Sequence, residues 1–157
     1  MIIILVCLFL VFLFACTKDY SYGVDAITTL PTNANKTKLK TNEQYISILY
    51  ANLFQKALSA NELVEITNCI EAFGDKETIH EVIVSNFMND PDVIIPSNSV
   101  MRTDIESFLT EAYTRFFVRD ITEAEKEYLT SFIEDNPNFT AEMLYTSFSL
   151  SDEYQYY

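Results

Sequence analysis

The chain has 157 residues, with 23 Asp and Glu against 10 Lys and Arg, and a net charge of −13. A surface of that sign repels phosphate backbones and anionic lipid heads, which argues against nucleic-acid binding and against electrostatic adhesion to a membrane. Only 2 Gly and 4 Pro punctuate the chain, and it has no Trp. So few breaks favour helices over a turn-rich β fold.

Residues 1–15 read MIIILVCLFLVFLFA, without one polar side chain. As a helix they would reach roughly 22 Å at 1.5 Å per residue, short of a hydrocarbon core of roughly 30 Å. That length suits the apolar region of an export signal, although no basic residue precedes it. The run closes in Leu13-Phe14-Ala15-Cys16. This resembles the lipobox of bacterial lipoproteins, in which an aliphatic residue stands at −3 and a small one at −1 before the acylated cysteine. The resemblance implies cleavage before Cys16, a lipid on Cys16 and a place in the cell envelope. Cys16-Thr17-Lys18-Asp19 resembles the start of mature Bacteroidota lipoproteins, which implies the outer membrane, on its periplasmic or surface face. The rival expectation is an uncleaved single-span helix flanked by Lys18. Cys7 would leave with the signal. Cys69 would then lack a disulfide partner, and its place among Ile66, Ile70 and Phe73 predicts a buried, inert thiol.

Cleavage leaves 157 − 15 = 142 residues, enough for one modest core or two small packed modules. Residues 16–40 are polar, contain Gly23 and Pro31 and show no period, so a flexible tether is expected. Lys36, Lys38 and Lys40 form a basic cluster within it, expected to be solvated, with a lipid-headgroup contact as the sharper alternative.

The rest carries an internal duplication. At an offset of 63, Tyr45, Tyr50, Phe54 and Lys56 meet Phe108, Tyr113, Phe117 and Arg119. Ser59 and Glu62 meet Thr122 and Glu125, while Ile66 and Ile70 meet Leu129 and Ile133. After a two-residue deletion the offset becomes 61, and Ile83 and Phe87 meet Leu144 and Phe148. Apolar residues three and four apart predict helices, and a Ser or Thr followed three residues later by Glu or Gln marks helix starts. Such pairs stand at Thr41/Gln44, Ser59/Glu62, Thr78/Glu81, Thr103/Glu106 and Thr122/Glu125, and Thr140 opens a further helix. The expected fold is therefore all-α: two three-helix units, 41–90 with helices over 42–57, 60–73 and 78–90, and 103–157 with helices over 104–119, 123–135 and 140–150. Ile79, Val82, Ile83, Asn86 and Phe87 are read as one stripe, and Leu129, Phe132 and Ile133 as another, both facing the core. Residues 91–102 are the linker, with Val93, Ile94 and Ile95 expected to pack back or to form a short extended piece.

The second unit carries Tyr113-x-x-Phe116-Phe117-x-Arg119-x-Ile121-Thr122-x-x-Glu125 and closes in Ser151-Asp152-Glu153-Tyr154. This resembles a helical module of phycobilisome linker-like proteins and of planctomycete cytochrome-associated proteins of unknown function. Ile121 stands where that module usually has Pro. The resemblance implies a helical scaffold making protein contacts.

No constellation for catalysis is visible. His80 is a lone histidine without a second imidazole or thiol nearby, poor material for a metal site and expected at the surface or half-buried. Asp90 and Asp92 around Pro91 fit turn chemistry better than a calcium loop. Glu123, Glu125, Glu127, Glu134 and Asp135 are expected to be a solvated face. Arg119 is assigned a structural role at the end of its helix, where a cation suits the dipole and reaches unpaired carbonyls, with Glu125 or Glu153 as its partner. Tyr154 is expected to pack on its own module, and Tyr154, Tyr156 and Tyr157 are the candidate contacts for a protein partner. The expected function is a lipid-anchored, non-enzymatic interaction or scaffold module without a cofactor; a ligand-binding or enzymatic lipoprotein with an unrecognised site is the alternative.

Overall fold

The structure is a computed structural model that describes residues 29–31 and 36–157. The signal-like run and Cys16 lie outside the described residues. The described part is all-α, with seven helices: α1 (Asn42–Phe54), α2 (Ala60–Ala72), α3 (Lys76–Met88), α4 (Asn98–Thr103), α5 (Ile105–Phe117), α6 (Glu123–Asp135) and α7 (Ala141–Leu150). A 3₁₀ turn, Asp152–Gln155, follows. Among the described residues no helix is long and apolar enough to cross a membrane.

The duplication is visible in the backbone. Both α1 and α5 have 13 residues, and so do α2 and α6. Both first helices end in a left-handed residue, Gln55 at φ 52° and Val118 at φ 54°, again 63 apart. Both second helices begin with a full capping box, Ser59 with Glu62 and Thr122 with Glu125. The aromatic packing repeats as well. Tyr50, Phe54 and Phe87 form one ring cluster, and Tyr113, Phe117 and Phe148 form its equivalent.

The two units share one core. In each, the first and second helices form an antiparallel pair, and α3 of the first unit packs on α7 of the second. The buried residues of both belong to a single hydrophobic cluster that includes Leu49, Leu53, Val84, Leu109, Phe116 and Leu144. Two hydrogen bonds cross between units: Tyr45 Oη donates to the Ser149 carbonyl at 3.1 Å, and Asn52 Nδ2 donates to Tyr154 Oη at 2.9 Å. Burial raises the Tyr45 and Tyr154 hydroxyl pKa values far above the phenol range, because a buried phenolate has lost its water.

Several sequence expectations are corrected. The linker contains α4, capped by Ser97 directly after Pro96, with Met101 fully buried. It does pack back: Val93 and Ile95 lie against the core, and the Ile94 amide donates to the Leu53 carbonyl at 2.8 Å. Two starts are capped by aspartates instead of threonines. Asp75 accepts from Glu77 and Thr78, and Asp104 accepts from Ser107, since a short carboxylate reaches first-turn amides well. On α3 the buried face is Ile79, Ile83, Val84 and Met88, while Val82 and Asn86 point outward. Cys69 is exposed, not buried, because only the narrow stripe through Thr67 and Ile70 of α2 meets the core. Phe132 is likewise off the core face of α6, where Ile133 alone is fully buried.

The described end of the expected tether is bound to the body. Leu30 donates to the Val118 carbonyl at 2.8 Å and accepts from the Asp120 amide at 3.2 Å. Lys38 and Tyr157 exchange both backbone bonds, at 3.1 and 3.0 Å, and the Lys40 amide donates to Gln155 at 2.9 Å. Of the basic cluster, Lys36 and Lys40 are half-buried against the body, while Lys38 is exposed, as expected for a solvated residue. Lys36, Lys38 and Lys40 lie over the rings of Phe117, Tyr157 and Tyr154 respectively.

Candidate functional site

Among the described residues the densest polar arrangement surrounds Arg119. Val118, in its left-handed conformation, ends α5 and turns the chain so that Arg119 lies beneath it, 7% exposed. Three residues on, Thr122 caps α6: its hydroxyl accepts from the Glu125 amide at 3.2 Å, and the Glu125 carboxylate accepts from the Thr122 amide at 2.9 Å. The Arg-x-x-Thr-x-x-Glu spacing thus has a physical reason. The carboxylate that closes the capping box is carried back toward the preceding turn, where the guanidinium waits. From the far end of the chain, Ser151 caps the 3₁₀ turn and accepts from the Tyr154 amide at 3.3 Å, which presents Glu153 to the same point and buries Tyr154.

Arg119 uses all its donors. Nε and Nη2 grip Glu153 at 2.6 and 2.8 Å, Nη1 and Nη2 grip Glu125 at 3.0 and 2.7 Å, and Nη1 also donates to the Asp120 carbonyl at 3.0 Å. Its plane lies over Tyr113 at 4.9 Å. The expectation of Glu125 or Glu153 as partner is met by both at once. The expected contact to the helix-end carbonyls is not made, because the turn at Val118 carries the side chain past them. Hydrogen bonds from this guanidinium hold the Glu125 carboxyl at about 2 and Glu153 below the usual carboxylate range, against the opposing effect of burial. Lys36 adds a second cation at 3.4 Å from Glu153. Its own ammonium is nonetheless pushed below its usual value, because burial outweighs so long an ion pair. Lys40, which donates to the Tyr154 carbonyl, is pushed down to about 8, first by burial and then by the charge of Lys36.

This cluster is a clasp. It joins α5, the start of α6, the chain's last turn and the segment at Lys36. With five donors engaged, the guanidinium has none to offer an anionic substrate.

The first unit holds an open counterpart. Lys56 stands at the position equivalent to Arg119, and Asp92, 61 residues before Glu153, meets it at 3.4 Å with both side chains exposed. The turns match too: Val93 donates to the Asp90 carbonyl at 3.1 Å as Tyr154 donates to that of Ser151 at 3.0 Å. Asp90 and Asp92 are thus turn residues, as expected, with the Asp92 amide donating to Asp90 Oδ1 at 2.8 Å.

The remaining candidates are dispersed. Tyr154 is fully buried and cannot meet a partner, which corrects its place among the contact residues. Tyr156 and Tyr157 are 37% and 39% exposed, with their backbones engaged by the segment before α1. His80 stacks on Tyr45 with ring centroids 4.2 Å apart. Its Nε2 is buried without a partner among the described residues, and burial lowers its pKa. It lines a shallow recess of ≈ 340 Å³ with Lys40, Glu77 and Asp152. Among the described residues no group of three or more His, Cys, Asp or Glu side chains is placed to hold a metal. Sequence reasoning missed Lys36 and Lys40 as parts of the site; their spacing by two and four, opposite a terminal aromatic run, was the available signal.

Compared with models of known protein families, with curated proteins and with solved structures, the chain matches none.

Proposed function

We propose that this protein is a non-catalytic interaction module held in the cell envelope by a lipid on Cys16. The observation that carries the proposal is the uncharged run of residues 1–15 ending in Leu13-Phe14-Ala15-Cys16, too short to span a bilayer comfortably and of the length of an export signal's apolar region. The body supports the non-catalytic half. Its most buried charge is fully engaged in holding elements together, and helical pairs with an acidic surface suit a scaffold. The resemblance of the second unit to linker-type modules points the same way.

The test is Cys16→Ser in an expressing bacterium fed a labelled fatty acid. The wild type takes up label and sediments with membranes; the variant is unlabelled and released. A variant that stays in the membrane through an intact N-terminus refutes the lipid anchor. Turnover of an added substrate by the purified chain, lost on a point substitution, refutes the non-catalytic reading.

A further inference from the structure

The face of α6 turned from the core carries Tyr128 and Phe132, one turn apart, 68% and 37% exposed. Their rings are 6.4 Å apart and nearly parallel, and Phe132 meets Phe139 edge-on at 5.1 Å. The duplication shows that the fold does not require aromatics here. The equivalent positions of α2 are Glu65 and Cys69, both exposed, on a helix of the same length with the same capping box. Each aromatic ring left in water forfeits a large burial term, so this pair calls for an explanation outside the fold.

The charge around the ridge selects the partner. Asp135 lies on the same face, three residues beyond Phe132, and Glu127 and Glu134 form a row beside it at a spacing of seven. All three are exposed and make no ion pair among the described residues. The helix's other charges are engaged elsewhere: Glu125 with Arg119, and Lys126 with Glu123 and Glu106. The ridge is thus an apolar aromatic strip bordered by carboxylates that no described cation pairs with; Arg102, which reaches the end of α6 from α4, gives its donors to the carbonyls of Ile133, Asn136, Pro137 and Phe139 instead. We propose that it docks a basic segment of another protein, which lays an arginine or lysine over the rings and meets Glu127, Glu134 and Asp135 with its neighbours. The same chain already pairs cations with rings at Arg119 over Tyr113 and Lys40 over Tyr154, the chemistry a partner would repeat. An anionic lipid surface and a second copy of this acidic chain are both disfavoured by like charge.

The inference deepens the interaction-module reading, and its test does not involve Cys16, so the two fail separately. A fluorescent helical peptide of leucine and arginine is titrated into the full chain in non-ionic detergent, and anisotropy is read. Wild type binds. Tyr128→Glu with Phe132→Ser, which installs side chains like those of the first unit, binds at least about tenfold more weakly although its net charge is more negative. Replacing Glu127, Glu134 and Asp135 by amides weakens binding and flattens its salt dependence. Glu65→Gln with Glu71→Gln, on the first unit, changes the affinity less than about twofold. Equal affinity of wild type and ridge variant, equal loss in the distal control, or no binding by wild type overturns the proposal. So does a ridge variant whose Tm collapses, or one whose only change is loss of wild-type self-association.

Discussion

Arg119→Ala removes the centre of the clasp. Two carboxylates and one carbonyl lose their donor, and the segment at Lys36 loses the organised Glu153 it binds. Breaking a buried ion pair costs about 3–5 kcal/mol. Both glutamates keep 33% exposure, so water recovers part of this and the expected loss is about 2–4 kcal/mol. The same contacts hold the Glu125 carboxyl at about 2, a depression that corresponds to roughly 3 kcal/mol before screening and about half that after it. At roughly 3–5 °C per kcal/mol for a body of this size, Tm should fall by about 10 °C, read by circular dichroism at pH 7. The acid side adds a second check. A carboxyl whose pKa is depressed by folding contributes its full stability above about 4.5 and loses it as pH falls toward 2. The gap between wild type and variant should therefore narrow over that window. A variant melting within about 2 °C of wild type, or a gap that stays constant down to pH 2, refutes the clasp.

Lys56→Ala, the exposed counterpart, should leave the urea midpoint nearly unchanged, because exposed ion pairs contribute little; a loss equal to that of Arg119→Ala would remove the contrast between the two units. Val118→Gly should raise the urea midpoint. It relieves roughly 1–2 kcal/mol of left-handed strain and returns roughly 0.4–1 kcal/mol through the freer unfolded chain; a lower midpoint refutes the strain. Tyr45→Phe removes the bond between units to Ser149 and should cost about 1 kcal/mol by denaturant melt. Leu109→Ala, at a fully buried position, should cost about 2–5 kcal/mol in the same assay.

The helical hairpins were legible because their signals are local: capping boxes at Thr41, Ser59 and Thr122, and apolar residues at helical spacing, need no tertiary knowledge. The duplication was legible because Tyr-x-x-x-Phe-x-[Lys/Arg] keeps its spacing in both units. α4 was hidden by its length, with one buried residue, Met101, in six. Asp75 and Asp104 competed successfully with neighbouring threonines for capping, a choice that depends on backbone angles and not on composition. Cys69 and Phe132 were misplaced because a helix at the edge of the body buries a stripe narrower than its apolar pattern: Thr67 and Ile70 on α2 and Ile133 on α6 are the buried residues. At the candidate site, Arg119 was legible as a structural cation, with Glu125 and Glu153 as alternative partners. That both would bind at once, with Lys36 beside Glu153, was not legible: the basic cluster was visible, but long-range pairing carries no periodicity.

The two attachments of the segment before α1 set how the molecule would take a mechanical load. A pull on the chain ahead of Thr29 reaches the Arg119 turn first, through the two backbone bonds at Leu30. It reaches the ladder between Lys38 and Tyr157 only after those give, and α1 lies behind both. The bonds at Leu30, Lys38 and Lys40 therefore give way ahead of α1, so a tug from upstream is spent on these contacts before it reaches the first helix.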